Sequence, residues 1–535
     1  AMQFGFNNDF CALVQLNGNR RWLMVNNHEY TSELFMWHGY DKDNPTERQV
    51  RVSWAAHGMS VVVVEREPHG DGLRVVLDPY YNRRITATSE FDVRGPAAGS
   101  PFLRTSADPT GTLVLGTLNN CAGGLTPWGT VLSGEENFHQ YFGNPELVSD
   151  PVARARIARY GVANGPSERK WERFDPRFDL PVEPNEINRF GYIVEVDPFE
   201  PGERPVKHTA LGRFKHEGAT IQVAHDGRVV AYLGDDERFE YLYKFVSDGR
   251  MLSGHSRRAR EHNKRLLDSG TLYVARLTGD SPPAEIDGSG RLPSDGEFDG
   301  TGTWIPLARN NTSYVSGFTA EEVYVFTRLA ADAVGATKMD RPEDVEPNPH
   351  TGRVYAALTN NTNRGTTGRP GPDEANPRRV NRHGHVLELE ERNGDHTGAT
   401  FSWRLLLVCG DPAAADTYFG GFDKSQVSPI SCPDNVAFDR YGNLWVATDG
   451  NALGSNDGLF SVPLNGAHRG HVKQFLTVPI GAETCGPVIA DDFVLVSVQH
   501  PGEVDGASAD NPASHWPDGP GTQPRPAVVA VFPTG

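Results

Sequence analysis

The sequence predicts an all-β protein, a six-bladed β-propeller with helical and loop insertions decorating one face, and three observations predict it. Gly 57 and Pro 39 punctuate many short apolar runs rich in Val, Tyr, Trp and Phe over the 535 residues, the pattern of numerous strands joined by tight turns. Six segments share one grammar: a small, polar or acidic head, an apolar strand, a turn, a second apolar strand, and a tail of Asn, Asp and Glu. Between them lie further strand-like runs, "GYIVEVDP", "GTLYVARL", "GHVLELEER" and "GLFSVPL", which supply the outer strands of blades. Blades closed in a ring leave few exposed edges.

The repeats run in order from Asn7 ("NNDFCALVQLNGNRRWLMVNNHE"), Asn119 ("NNCAGGLTPWGTVLSGEEN") and His216 ("HEGATIQVAHDGRVVAYLGDDE"), then from Arg341, Cys432 and Glu483. A turn glycine stands eight residues after Cys121 (Gly129), after Asp344 (Gly352) and after Asp434 (Gly442). The third copy is longer, from Glu217 to Gly227, and the sixth has lost the glycine. The last run, "AVVAVF" at 527–532, is expected to pair with N-terminal strands and close the ring. Insertions are expected near 139–188, with a helix in "DPVARARIARYG", near 250–268 and near 317–338. Residues 1–535 are read as a single domain.

Composition narrows the function. The 51 basic against 69 acidic residues give a net charge of -18, which argues against a nucleic-acid backbone as partner. No stretch approaches the roughly 18 uninterrupted apolar residues of a membrane span. The opening "AMQFGFNNDF" has no signal-peptide pattern, so a cytosolic or already processed chain is expected. Cys11, Cys121, Cys409, Cys432 and Cys485 are odd in number with no CxxC, which supports neither a zinc ribbon nor a disulfide framework.

In every hairpin of the repeat the first strand begins, and the second ends, at the same rim. Six polar heads and tails therefore converge on one end of the central channel. The tails include Glu29, Glu135 and Glu136, Asp235 and Asp236, Asn360, Asp449 with Asn451, and His500; the heads include Asn120, Cys121, Glu217, Glu343, Asp344, Asp434 and Glu483. So many carboxylates in a funnel need compensating cations. Asp, Glu and Asn oxygens suit hard ions such as Ca²⁺, whereas the thiolate of Cys121 selects a softer metal such as iron, zinc or copper, so a mixed site accommodates both. The candidate ligands are Glu29, Asn120, Cys121, Glu135, Glu217, Asp236, Glu343, Asp434 and Glu483. Arg341 suits bidentate grip of a phosphate, or else an ion pair with Glu343 or Asp344; Arg341 and Asn360 are the candidates for holding substrate.

The stretches "NNCAGGLTPWGTVLSGEENF", "KHEGA", "GDDERFEYLYKFV", "RPEDVE" and "CPDNV" together resemble the PhoX family of bacterial alkaline phosphatases, over essentially the whole chain. The resemblance implies a six-bladed propeller, exported through the twin-arginine pathway to the periplasm or beyond, here as a mature chain without its signal peptide. It implies hydrolysis of phosphate monoesters at a site holding two ferric ions (Fe3+), three calcium ions (Ca2+) and a bridging oxo. It casts Cys121 as the thiolate ligand of iron, Glu217, Glu343 and Asp434 as metal-bridging carboxylates, and Arg341 as the phosphate-gripping residue. A monomer acting on small phosphoesters, with neither nucleic acid nor membrane as partner, is the resulting expectation. The competing readings are a calcium-dependent lactonase-like propeller hydrolase, which needs no thiolate, and a binding propeller whose calcium is structural.

Overall fold

The computed structural model describes residues 3–533 apart from 19, 68–71, 255 and 451, so the tail residue Asn451 and one residue of the 250–268 insertion lie outside it. Each of the six segments forms an antiparallel hairpin. They pair Asn8–Asn17 with Arg21–His28, Asn120–Leu125 with Val131–Glu135, Thr220–Val223 with Arg228–Gly234, Pro342–Pro347 with Val354–Leu358, Pro433–Phe438 with Leu444–Thr448, and Glu483–Ile489 with Val494–Gln499. Outer strands extend most of them, and the third and fourth merge through Asp299–Arg309 and Thr400–Val408 into one 11-stranded sheet. The protein is mostly β.

Hydrogen bonds tie each hairpin to the next. Asn27 donates to the Cys121 carbonyl, the His216 amide to the Glu135 carbonyl at 3.2 Å, Thr220 to Glu346 at 3.4 Å, Val436 to Asp344 at 3.1 Å and Gly486 to the Asn435 side chain at 2.7 Å. Ser497 then donates to the Asp9 carbonyl, and the cycle is closed. Strands inside it are covered on both sides, so Val354–Leu358 and Val494–Gln499 are buried along their whole length and read as apolar runs.

The closure differs from expectation in one respect. Ala527–Val531 adds to Val494–Gln499 as the third strand of the last sheet and pairs with no N-terminal strand. The first and last hairpins meet through Ser497 on the Asp9 carbonyl and Gln499 on the Asp9 carboxylate instead, because Ala527–Val531 is the outermost strand of its sheet, on the far side of Val494–Gln499 from Glu483–Ile489.

Helices occur in the three insertions: Pro151–Ala158 capped by Asp150, Arg257–Asn263 capped by Ser256, and Ala320–Val325 with a Thr319/Glu322 capping box, followed by Thr327–Val334. A further helix, Glu47–Ala56, was not anticipated, although Thr46 and Gln49 form a capping box there. The insertion helices reach the repeat through arginines. Arg328 pairs in full burial with Asp235, and Arg159 joins Glu240 to Asp332 at 2.6 and 2.8 Å.

Candidate metal centre

The hairpins bulge at a common place. Asn8 faces His28 and the register slips before Cys11; Asn120 faces Glu135 and it slips before Gly123; Pro342 faces Leu358, and Pro433 faces Thr448, with the same slip. In the third hairpin the bridge His216–Asp235 precedes the slip to Thr220–Tyr232. A bulge twists the strand and re-aims its extra residue. The first bulge residues are Asp9, Cys121, Glu217, Glu343 and Asp434. The residues just past the facing partner are Glu29, Glu136, Asp236, Thr359 and Asp449. The residue before the bulging ladder is left-handed in four copies, with φ of 47° at Asn7, 54° at Asn119, 58° at Arg341 and 53° at Cys432. That conformation suits asparagine and strains arginine and cysteine, so the surrounding fold must impose it. The sixth hairpin bulges later, between Cys485 and Val488.

These side chains gather. Ligand atoms of Asp9, Glu29 and Cys121 lie within 4.8 Å of one another, as do those of Cys121, Glu136 and Glu217, of Glu217, Glu343 and Asp434, of Asp9, Glu483 and Cys485, and of Asp449, Glu483 and His500. The groups share members and make one continuous cluster. Cys121 Sγ is 3.3 Å from both Asp9 Oδ2 and Glu217 Oε1, and Cys485 Sγ is 3.0 Å from Glu483 Oε1. Asn119 donates to Glu29 at 3.0 Å, Gln499 to Asp9 at 3.0 Å and Asn435 to Glu217 at 3.3 Å, fixing the carboxylates from outside.

Burial and then mutual repulsion raise the acids. Asp9 is pushed up to about 7 by burial and by Asp434, and Glu29 to about 8 by burial and by Asp9. Glu217, Glu136, Asp434 and Glu483 rise well above the carboxylate range for the same two reasons, and burial beside Asp9 and Glu217 holds the Cys121 thiol up. Buried oxygens also remain without a hydrogen-bond partner among the described residues: Asp9 Oδ1, Asn8 Oδ1, Asn27 Oδ1 and Gln499 Oε1. Repelling carboxylates with idle oxygens and two thiols fit cations, hard ones at the oxygens and a softer one at sulfur.

Of the residues proposed from sequence, the structure brings Glu29, Cys121, Glu217, Glu343, Asp434 and Glu483 into the cluster, and Asp236 adjoins it through Arg341. Two are turned away. Glu135 receives Lys207 Nζ at 2.6 Å and the amides of Gly191 and Tyr192, and Asn120 is held by Thr117 and Ser133. Both are the ladder pair itself, whose side chains leave on the other side of the strand from their neighbours Cys121 and Glu136. Asn360 accepts from Arg238 at 3.3 Å. Asp344, aligned with Cys121 by the turn glycines, binds the amides of Val345 and Val436, because the bulge matches Cys121 to Glu343. Asp9, Glu136, Cys485, Asp449 and His500 were not chosen from sequence. Asp9 was readable, since "NND" at 7–9 matches "NNC" at 119–121.

Arg341 borders the cluster. Its Nε and Nη2 donate to the two oxygens of Asp236 at 2.9 and 2.6 Å, Nη2 lies 3.0 Å from Glu343, and Nη1 has no partner among the described residues. The side chain is 24% exposed and lines a cavity of about 390 Å³ with Asn137, His139, Lys215 and Arg369.

The sequence matches the family model described as alkaline phosphatase PhoX over residues 1–502. The chain belongs to the PhoX family. Pseudomonas fluorescens PhoX, solved in complex with vanadate, a transition state analogue, is 40% identical over 99% of this chain and 89% of that one, with a TM-score of 0.84. As a PhoX-family member the chain is an alkaline phosphatase, a phosphoester hydrolase; PhoX is a metalloenzyme family, and the acidic cluster has the ligand atoms to bind metal ions. Two solved structures are far less similar. A protein of unknown function from Dyadobacter fermentans has a TM-score of 0.35 at 11% identity, covering 93% of this chain and 91% of that one. XC5397 of Xanthomonas campestris, described as a gluconolactonase, has a TM-score of 0.27 at 11% identity, covering 91% and 97%. No curated protein matches the sequence. No helix among the described residues is long and apolar enough to cross a membrane.

Proposed function

We propose that phosphate monoesters are hydrolysed at the mouth of this cluster, with Arg341 holding the phosphoryl group. The observation that carries the reading is the convergence of buried carboxylates on Cys121 beside an arginine with one free nitrogen. The fold is read as a six-bladed propeller forming a single domain, supported by the six hairpins bonded in a closed cycle. Asp9, Glu29, Cys121, Glu136, Glu217, Glu343, Asp434 and Glu483 would hold the cations, read from the family resemblance as two Fe3+ and three Ca2+ with a bridging oxo. When bound, such cations neutralise the carboxylates and act as Lewis acids towards phosphoryl oxygens.

Arg341 does the orienting. Its left-handed backbone and its pairing with Asp236 and Glu343 fix the guanidinium plane, and the free Nη1 is left to donate to a phosphoryl oxygen. Those contacts strengthen as negative charge grows on the equatorial oxygens in the transition state. Burial works against its charge, but Asp236 and Glu343 outweigh burial and push its pKa further up. Export of the protein and a monomeric state are part of the same proposal, on family grounds.

The test is p-nitrophenyl phosphate hydrolysis before and after chelation, with metal analysis. Activity that vanishes with the metals and returns on adding iron and calcium is expected. Full activity in metal-free protein would refute the reading.

A further inference from the structure

The cavity beside Arg341 does not end there. A second cavity of about 420 Å³ adjoins it, and Arg238, Phe239 and Arg369 border both, so the two form one trough running outward from the phosphate-holding arginine. Its charges are unbalanced. In the inner part Arg341 is paired with Asp236, and Lys215 with Glu237 at 3.0 Å; in the outer part Arg159 is paired with Glu240 and Asp332. Arg238, Arg369 and the outer Lys338 are exposed and form no ion pair among the described residues. The Arg238 side chain donates to Asn360 Oδ1 at 3.3 Å.

Six cations against four carboxylates line the trough, an excess of two positive charges that stands out in a chain of net charge -18. The backbone is bent to place Arg238 there. Phe239 has φ 74°, a conformation costly for an aromatic residue, and is anchored by its amide to the Met339 carbonyl at 2.8 Å, while Arg238 bridges to Asp340. The strained turn packs Phe239 into the wall, 8% exposed, and leaves Arg238 exposed in the trough.

We propose that this trough is a subsite for the leaving group, selecting phosphomonoesters whose leaving group carries a second phosphate. The inference rests on the phosphatase reading of the Arg341 site and adds its substrate class. Arg238 and Arg369 present planar donor forks suited to phosphate, and Lys338 adds a point charge at the outer end. Asn360 acts as a positioning residue, through Arg238.

The test uses the metal-loaded enzyme and two substrates, propane-1,3-diol monophosphate and propane-1,3-diol bisphosphate, and reads the ratio of their kcat/KM values. The wild-type ratio favours the bisphosphate, and raising ionic strength from about 0.05 to about 0.5 M erodes it by screening exposed charge. In R238Q/R369Q the ratio falls about tenfold or more, chiefly through KM of the bisphosphate. A ratio that stays within twofold in the double variant, or that salt leaves untouched in the wild type, overturns the subsite. Wild-type enzyme that hydrolyses neither substrate overturns the phosphatase reading instead.

Discussion

At the residue scale, adjacent acids have opposite jobs. Glu135 and Asp235 stand at the same register position and are each spent on a buried cation, Lys207 and Arg328, whereas Glu136 and Asp236 lie one step on. Glu136 enters the cluster and Asp236 grips Arg341. Glu135→Gln therefore strands a buried lysine and is expected to cost about 3–5 kcal/mol of stability by chemical denaturation. Glu136→Gln relieves repulsion in the metal-free protein, so it should leave metal-free stability equal or higher and lower metal content and activity; the same two assays on both variants decide. Arg341→Lys keeps the charge and loses the planar fork, so kcat/KM should fall about 10²-fold or more with metal content retained. Sequence showed both acids of each pair but not which way each points, because a one-residue step along a strand exchanges its two sides.

At the element scale, the hairpins place the site by close backbone contact. A Cβ on Gly134 would meet the carbonyl oxygens of His216 and Glu217 at 2.2 and 2.3 Å, and one on Gly234 would meet those of Glu343 and Pro342 at 2.1 and 2.5 Å. The second strands of the second and third hairpins thus each carry a glycine where the head of the next hairpin crosses it, and that head bears a cluster carboxylate, Glu217 or Glu343. Gly234→Ala must push the third and fourth hairpins apart, which displaces Glu343. A loss of roughly 1–3 kcal/mol, as for overpacking elsewhere, together with reduced metal loading is expected, and unchanged melting temperature and metal content would contradict the contact. The hairpins, the helix of the first insertion and most cluster residues were legible in the sequence, because apolar runs, turn glycines and capping residues are local signals. The bulges were not. A bulge depends on pairing between strands, so counting from turn glycines aligned Asp344 with Cys121 where pairing aligns Glu343.

At the scale of the whole molecule, the closed cycle concentrates acid at its centre and anchors its periphery with buried ion pairs. His208, held by Glu195 at 2.8 Å and Asp268 at 3.1 Å, shows how such an anchor responds to pH. Burial pulls its pKa down, but the hydrogen bonds to Asp268 and Glu195 win and raise it to about 9. The raised value means the anchor contributes fully below the unfolded histidine value of about 6.5 and is lost as pH rises through about 9. At about 1.4 kcal/mol per pH unit this is worth at most roughly 3.5 kcal/mol. His208→Gln should be less stable than wild type at pH 6, with the gap closing by pH 10 in denaturant titrations; a gap independent of pH would contradict the assignment. The measurement that tests the central claim most directly is iron and calcium content of the purified enzyme, taken with its visible spectrum and repeated on Cys121→Ala. Co-purifying iron with a thiolate-to-iron absorption band, both lost together with activity in the variant, is the predicted result. An active, colourless, iron-free enzyme, or a variant that keeps iron, band and activity, would contradict it.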